Sequence, residues 1–213
     1  MNGKFREFEG VVPFITLVAT LILGVILCIP LYMLMMVICH IPEQVHLSFQ
    51  QTLHAYVQVV GEVLNPFAGA FEVPFFTTSQ QAAHHFIDVR HWFTVLEIIV
   101  IFGMPYTFFT VRRQLREGWL YTWHMRLKQW LWYPLPLIIM LPVGFKPLFI
   151  LFHQLIFTNN DWMFDVNVDP IIQLFPLPFF LACSVMVLGL YYGVIIYCIH
   201  YLKRKESCHE RRN

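Results

Sequence analysis

The chain has 213 residues, of which 58% are hydrophobic and 13% are charged, with a mean hydropathy of +0.60 and a formal net charge of +1. Soluble domains carry roughly a quarter charged residues, so about half that proportion excludes an ordinary soluble domain and indicates an integral membrane protein. A net charge near zero gives no indication of a nucleic-acid partner, and none is expected.

The first predicted membrane span is the charge-free stretch at residues 11–39. At 1.5 Å per helical residue, this stretch exceeds the ~30 Å of bilayer hydrocarbon. It is too long for the core of a signal peptide and lacks a convincing A-x-A cleavage site, so we expect a helix that is retained in the protein.

Three further apolar stretches follow, at residues 92–111, 129–147 and 178–202. The prolines that interrupt the third stretch are Pro134, Pro136, Pro142 and Pro147. The pattern predicts an all-α integral membrane protein, with residues 1–213 forming one membrane domain of four transmembrane helices.

Basic residues predict the orientation of these spans. Twelve of the 14 Lys and Arg residues lie before the first span, in the connection 112–128 or in the tail 203–213. Because basic loops stay in the cytoplasm, these segments and both termini are expected there. The segments 40–91 and 148–177 are then extracellular, and they hold seven of the ten histidines.

The first outer segment contains a predicted amphipathic helix over residues 48–64. Ser48 is suited to cap this helix, and the pair Asn65-Pro66 is suited to end it. Its predicted apolar stripe consists of Phe49, Leu53, Tyr56, Val57, Val60 and Leu64. We expect such a helix to lie in the outer interface or to pack over the spans, as a lid or a scaffold rather than as part of the chemistry.

Titratable residues are concentrated just before the second span, in the stretch QQAAHHFIDVRHWF at residues 80–93. Ser79 is suited to cap a helix that runs through this stretch and into the span. In such a helix His85 and Asp88 are neighbours, and His84, Asp88 and His91 share a broader face. The titratable groups are therefore expected together at the outer membrane boundary.

A second polar group is predicted after the third span. Because of the four prolines, we expect that span to end near Lys146 or Pro147. A short helix over residues 149–157 would follow at the outer surface and carry His153 at the level of the first cluster. A polar run at residues 159–161 comes next.

Several familiar sites are excluded by the remaining motifs. None of the four serines lies in G-x-S-x-G, no H-E-x-x-H occurs, and the aspartates of the second outer segment do not have the spacing of a calcium-binding loop. Asp169 and Pro170 are suited to be the N-cap and first residue of a helix that enters the last span. The five cysteines lack zinc spacing and are expected to be buried small residues, although a bond between Cys39 and Cys183 stays open.

A histidine-based proton-transfer site is the interpretation that these exclusions favour. Histidine moves protons near neutral pH, and Asp88 is suited to orient it. Two alternatives stay open at this point. One is a membrane protein that handles metal ions through His84, Asp88, His91 and His153. The other is a non-catalytic membrane scaffold.

Two motifs make the chain resemble a known family. H-F-x-D-V-[RK] matches residues 85–90, and F-H-x-x-x-F-x-N-x-x-W-x-x-D-x-x-x-D-P matches residues 152–170 and continues to an F-P pair at residues 175–176. These motifs, with four spans and two outer segments in the same order, resemble the bacterial lipoprotein intramolecular transacylases, called Lit. The resemblance implies that the sn-2 acyl chain of an S-diacylglyceryl-cysteine moves to the α-amine of the same cysteine, which gives a lyso-form lipoprotein.

The resemblance also implies roles for individual residues. His85 and His153 would be the proton-transfer pair, with Asp88 as the orienting carboxylate and Arg90 in support. Residues that would line the pocket or hold the oxyanion are Asn160, Asp161 and Trp162. No enzyme nucleophile and no cofactor or metal is needed, because both reactants are tethered in one substrate.

Partners and location follow from the same resemblance. The expected partners are diacylglyceryl-modified lipoproteins and the lipid bilayer, and the chain is expected to act as a monomer. It would lie in the bacterial cytoplasmic membrane with its active site facing the extracytoplasmic side. The acyl length and the identity of the base among the two histidines stay open.

Two charged residues lie inside predicted spans, Glu97 in the second and Lys146 in the third. Counted along continuous helices, they lie at similar heights above the inner boundary. Because an unpaired charge in hydrocarbon is costly, we expect a buried ion pair that braces the helix carrying His85 against the segment carrying His153. The alternative is that Lys146 reaches the outer headgroups while Glu97 faces a watery pocket.

Overall fold

The structure is a computed structural model that describes residues 3–140 and 144–210, with side chains over residues 9–140 and 144–205. In this part of the chain all regular structure is helical. The α-helices are α1 (Gly3–Ile26), α2 (Ile29–Ile38), α3 (Ile41–Gln44), α4 (Phe49–Leu64), α5 (Gln80–Arg116), α6 (Leu120–Trp130), α7 (Leu135–Met140), α8 (Phe145–Ile156) and α9 (Leu177–Glu210), and a 3₁₀ helix covers Pro170–Leu174. Pro142, Arg211, Arg212 and the side chains of Lys4, Arg6 and Cys208 lie outside the described residues.

Three of the described helices are long and apolar enough to cross a membrane, namely Glu9–Ile26 in α1, the whole of α5, and Leu177–Lys205 in α9. Leu120–Met140 and Phe145–Ile156 would supply a fourth span if they count together as one. The prediction of an all-helical membrane protein is confirmed, while the count of four spans and the side of the termini stay predictions.

The first predicted span consists of two helices rather than one. The first ends at Ile26 and the next begins at Ile29, just before Pro30, which has no N–H to donate to the Ile26 carbonyl. The Tyr56 hydroxyl donates to this carbonyl instead, at 2.8 Å. Tyr56 also stacks on Tyr32 with ring centroids 3.5 Å apart. A side chain from α4 therefore stabilises the break in the span.

Helix α4 confirms the predicted helix after Ser48. Ser48 and Gln51 form a capping box, with the two bonds at 3.0 and 3.3 Å, and the helix ends at Leu64. The predicted apolar stripe was partly wrong, because Phe49 and Val57 are exposed. The residues that α4 buries are Thr52, Ala55, Tyr56, Val59, Val60 and Val63.

The end of the third predicted span was placed wrongly. Helix α8 begins at Phe145, so Lys146 and Pro147 open this helix instead of ending a span. Gly144 has a φ of +113°, which favours glycine, and Pro147 lies in the first turn, where its missing N–H costs nothing. The continuous helix on which the height of Lys146 was counted does not exist. Lys146 is exposed and Glu97 is half-buried, and their pairing stays a prediction.

Two other predictions concern residues around the last span. Cys39 and Cys183 are free thiols. Asp169 precedes the 3₁₀ helix and not a helix that enters the span, which begins only at Leu177, and its side chain makes no cap bond there. The Asp169 carboxylate accepts hydrogen bonds from Ser79 instead.

The chain divides into two compact units. The first unit comprises Leu23–Leu96 and Pro142–Val185, and the second comprises Met1–Ile22, Glu97–Leu141 and Met186–Asn213. The core of the first unit includes Tyr32, Met36, Ile41, Tyr56, Ile171, Leu174 and Phe179. The core of the second unit includes Trp123, Leu127, Trp130, Tyr191, Ile195 and Leu202. Within the second unit α1 and α5 approach closely at Gly103, where a Cβ would collide with the Thr16 hydroxyl.

Candidate active site

Helix α5 carries the first histidine cluster, and hydrogen bonds within the first unit hold its N-terminus in place. Ser79 Oγ accepts a hydrogen bond from the Ala82 backbone N–H at 3.1 Å, which is the N-cap bond that the sequence predicts. The Asp169 carboxylate accepts hydrogen bonds from the Ser79 N–H and hydroxyl, each at 2.7 Å. Asp169 is only 3% exposed, so a buried carboxylate holds the start of α5.

His85 is buried and lies among aromatic rings. The residue is 6% exposed, and its ring packs on Phe157 and Phe164 with centroids 4.8 and 5.4 Å away. Its Nδ1 atom is buried and has no hydrogen-bond partner. Because buried polar atoms in folded proteins are nearly always bonded, this nitrogen is the kind of atom that a bound reactant would complete.

His153 lies near the end of α8 and meets His85 in the same aromatic group. The two ring centroids are 6.1 Å apart, and Phe157 packs on both rings, 5.5 Å from His153. The Nδ1 atom of His153 lies 2.8 Å from the Phe149 carbonyl oxygen. A carbonyl oxygen only accepts, so Nδ1 carries the proton and Nε2 holds the lone pair in the neutral ring. The backbone therefore sets the tautomer of His153.

Asp88 is bonded to Asn159, whereas the sequence led us to expect it to orient His85. Asn159 Nδ2 donates to Asp88 Oδ2 at 2.8 Å. Asn159 Oδ1 accepts from the Asp161 backbone N–H at 3.0 Å, and its carbonyl oxygen accepts from Trp162 Nε1 at 3.2 Å. Asn159 thus ties the loop after α8 to α5. The sequence drew attention to Asn159 because it lies in a polar run, but no local pattern indicated which residues it would bond.

Of the three residues predicted to line the pocket or hold an oxyanion, two use an N–H group for another hydrogen bond and one is exposed. The Trp162 indole N–H and the Asp161 backbone N–H both donate to Asn159, and Asn160 is exposed. The Trp162 ring still lines the site, because its centroid lies 5.0 Å from that of His153. Of this predicted set, Trp162 is the residue whose ring packs on His153.

Arg90 supports the site only indirectly. It is 5% exposed, and its guanidinium donates to the carbonyls of Glu62, Ala68 and Gly69 at 2.7–3.0 Å. It also pairs with the Glu62 carboxylate at 3.0 Å. These bonds hold the segment after α4 against α5, so we assign Arg90 a bracing role.

A cavity of about 330 Å³ lies beside the histidine pair within the first unit. Helix α5 contributes His84, Asp88, His91 and Trp92 to its lining, and residues 156–159 contribute the rest. Through Phe157 the cavity therefore shares a wall with the buried histidines. At its edge, His84 Nδ1 lies 2.6 Å from an Asp161 carboxylate oxygen.

The metal-handling alternative depends on four side chains that the sequence placed together. These are His84, Asp88, His91 and His153. In the described part of the chain, no group of three or more His, Cys, Asp or Glu residues is arranged to hold a metal ion. The geometry of the site offers this alternative no support.

The model of the family "Lipoprotein intramolecular transacylase Lit" matches residues 8–180 of the chain. Among solved structures, the membrane integral lipoprotein intramolecular transacylase Lit from Bacillus cereus is 22% identical to this chain, with a TM-score of 0.83 over 97% of this chain and 100% of that one. Two structures of its variants, with a histidine replaced by arginine or by alanine, are 20% and 21% identical. Their TM-scores are 0.77 and 0.73, over 97% of this chain and 96% and 97% of theirs. No curated protein sequence matches the chain.

Proposed function

Because the chain belongs to the Lit family of lipoprotein intramolecular transacylases, we propose that it moves one acyl chain within a diacylglyceryl-modified lipoprotein. The acyl chain leaves the sn-2 ester of the S-diacylglyceryl group and arrives on the α-amine of the same N-terminal cysteine. The product is a lyso-form lipoprotein, and the histidine pair carries out the proton transfers.

This reaction balances without a cofactor. The amine nitrogen attacks the ester carbonyl carbon, the C–N bond forms, and the C–O bond to glycerol breaks. One proton leaves the amine and one arrives on the glycerol oxygen. The amine has an ordinary pKa of about 7.7–8.0 and must be neutral when it attacks, so the site needs a base. Both reactants belong to one molecule, so the enzyme does not have to carry the acyl group.

We assign the base to His153. Its Nε2 holds the lone pair, because its Nδ1 donates to the Phe149 carbonyl. Its ring lies between aromatic neighbours, with Phe149 at 4.1 Å and Trp162 at 5.0 Å between centroids. A charge is costly in such surroundings, so the ring that has taken the amine proton readily passes it to the departing glycerol oxygen.

His85 supplies the second group that the reaction needs. When Nδ1 carries the proton, this unpaired nitrogen donates a hydrogen bond to the ester oxygen as negative charge develops there. The N–H groups of Asp161 and Trp162 are already bonded to Asn159 and do not compete for this role. The proposal is carried by one observation. The buried Nδ1 of His85 is unpaired, and the His85 ring lies 6.1 Å, between centroids, from the ring of His153, whose tautomer the backbone sets.

Conversion should be measured on lipoproteins from cells that produce the protein. Substrate and product are isomers of equal mass, so the assay needs an amine-reactive reagent, which adds mass to the free α-amine of the substrate but not to the amide of the product. His85→Ala and His153→Ala should each lower conversion by about 100-fold or more. His54→Ala is the matched control, because His54 is an exposed histidine of α4 that contacts Gln58.

Two outcomes would contradict the proposal. Undiminished conversion by both alanine variants, present at normal levels in the membrane, would leave the chain as a non-catalytic scaffold. An acyl group trapped on a serine or cysteine of the chain would replace direct transfer by a covalent mechanism.

We place the site on the extracytoplasmic side of the bacterial cytoplasmic membrane, with both termini in the cytoplasm. The support is the position of 12 of the 14 Lys and Arg residues. Asp165 and Arg116 are both exposed and serve as a matched pair. In intact cells a cysteine introduced at Asp165 should react with a membrane-impermeant thiol reagent, and one at Arg116 should not. The reverse labelling would invert the orientation.

A further inference from the structure

The cavity beside the histidine pair differs chemically from the surroundings of the pair itself. Phenylalanine and tryptophan rings surround the two buried histidines, whereas His84, Asp88 and His91 present a polar stripe of α5 to the cavity. Residues at these intervals lie on one side of a helix. An aromatic surface and a polar surface therefore meet at Phe157, which belongs to both.

Asp88 is the carboxylate in the cavity lining, and its side chain forms no ion pair in the described part of the chain. Its Oδ2 accepts one hydrogen bond, from the neutral amide of Asn159. A carboxylate has about four acceptor positions, so most of its capacity is left, and the ion pairs found among the described residues do not include Asp88. The nearby carboxylate of Asp161 is already engaged by His84.

The substrate of the proposed reaction offers the matching group. Its α-amine is mostly an ammonium ion at neutral pH, and the peptide that follows is polar, whereas its acyl chains are apolar. We infer that the cavity binds the N-terminal ammonium group of the lipoprotein through Asp88, while the ester lies against the aromatic rings. This inference rests on the proposed function and deepens it, since it assigns each end of the substrate to one surface.

Asp88 is then a substrate-binding residue. Phe157 lines the cavity and packs 4.8 Å from His85 and 5.5 Å from His153, measured between ring centroids. The ring that lines the cavity together with Asp88 is therefore also the ring that packs on the base. Asp88 holds the charged form of the amine. Loss of one ammonium proton to solvent frees the lone pair and releases the amine from Asp88. During attack His153 takes the second proton from the nitrogen and passes it to the glycerol oxygen.

Two synthetic S-diacylglyceryl-cysteinyl peptides test the inference, one with a free α-amine and one with that amine acetylated. Binding is measured in detergent micelles on the full-length chain carrying His153→Ala, so that neither peptide is converted. The free-amine peptide should bind about tenfold more tightly, because its ammonium group makes a charge-assisted hydrogen bond.

Adding Asp88→Asn should reduce this preference to about one, because asparagine keeps an acceptor for Asn159 but removes the charge. Adding Asp161→Asn instead is the matched control and should leave the tenfold preference intact. The affinity for the acetylated peptide should be the same in all three proteins, which shows that each of them is folded.

Equal affinities for the two peptides in the His153→Ala protein would overturn the inference. So would a preference that survives Asp88→Asn, or one that is lost with Asp161→Asn alone. The proposed function is judged separately, by conversion of the free-amine peptide by the unaltered chain. Absence of conversion together with an Asp88-dependent preference would reject the transacylase proposal and leave the ammonium site standing.

Discussion

Gln114 in the second unit and His85 in the first unit are both buried polar side chains, but only in Gln114 does each polar atom of the side chain have a partner. Gln114 is 1% exposed, its Nε2 donates to the Glu9 carboxylate, and its Oε1 accepts from Trp123 Nε1 at 2.9 Å. His85 is 6% exposed and leaves Nδ1 without a partner. A buried polar atom without a partner destabilises a fold. The first arrangement therefore serves stability. The second sacrifices some stability, and under the proposed function it leaves an atom that can bind the substrate.

The largest effect is expected from His85→Phe, which removes the unpaired nitrogen but keeps a ring against Phe157 and Phe164. Conversion should fall by about 100-fold or more. The free energy of unfolding should stay the same or rise by up to about 1 kcal/mol, because a buried unsatisfied atom is lost. Conversion is measured by amine labelling and the free energy of unfolding by thermal unfolding in detergent, both on the purified protein. A loss of more than about 2 kcal/mol would show that the nitrogen is bonded within the protein.

Gln114→Leu should produce the opposite pattern. It leaves Glu9 and Trp123 without their buried partner, so the free energy of unfolding should fall by about 1–3 kcal/mol. Conversion per folded molecule should be unchanged. Gln58→Leu, at an exposed position of α4, is the control and should change stability by less than about 0.5 kcal/mol. Lost conversion with normal stability would assign Gln114 to the chemistry and remove the contrast with His85.

A smaller effect is expected at the link between Asn159 and Asp88. Asn159→Asp places two carboxylates together and should lower the free energy of unfolding by about 1 kcal/mol, while it keeps the acceptor for the Asp161 N–H. Adding Asp88→Asn restores a donor and an acceptor with their roles exchanged, so most of the loss should be recovered. Thermal unfolding of the unaltered protein, the two single variants and the double variant gives the coupling free energy between Asn159 and Asp88. Additive losses would mean that this link does not position the loop.

The smallest effect concerns Glu97 and Lys146, whose pairing is still a prediction. Lys146 is exposed, so a pair with Glu97 would contribute at most about 1 kcal/mol. Glu97→Gln and Lys146→Met should each lower the melting temperature slightly, and the double variant should lower it less than the sum. Strict additivity would show that the two side chains do not meet.

Local signals in the sequence determined much of this protein. Hydropathy predicted a helical membrane protein, the N-caps at Ser48 and Ser79 placed two helix starts, and the two histidine motifs selected His85 and His153. Each of these signals acts within a few residues or along one helix, where spacing alone sets which groups are neighbours. The family resemblance rested on the same local patterns, and the family match confirms it.

The partners of the buried polar groups were decided only by the tertiary structure. Tyr56 donates to the Ile26 carbonyl, which the break at Pro30 leaves without its helical partner, and the two residues are 30 positions apart in the sequence. Asn159 and Asp88 are bonded although 71 positions separate them, and Ser79 and Asp169 although 90 positions do. Sequence spacing does not encode such pairs, because they form only when separate helices pack and must satisfy the polar atoms that they bury. The same packing leaves one nitrogen of His85 unpaired, and no local pattern in the sequence predicts it.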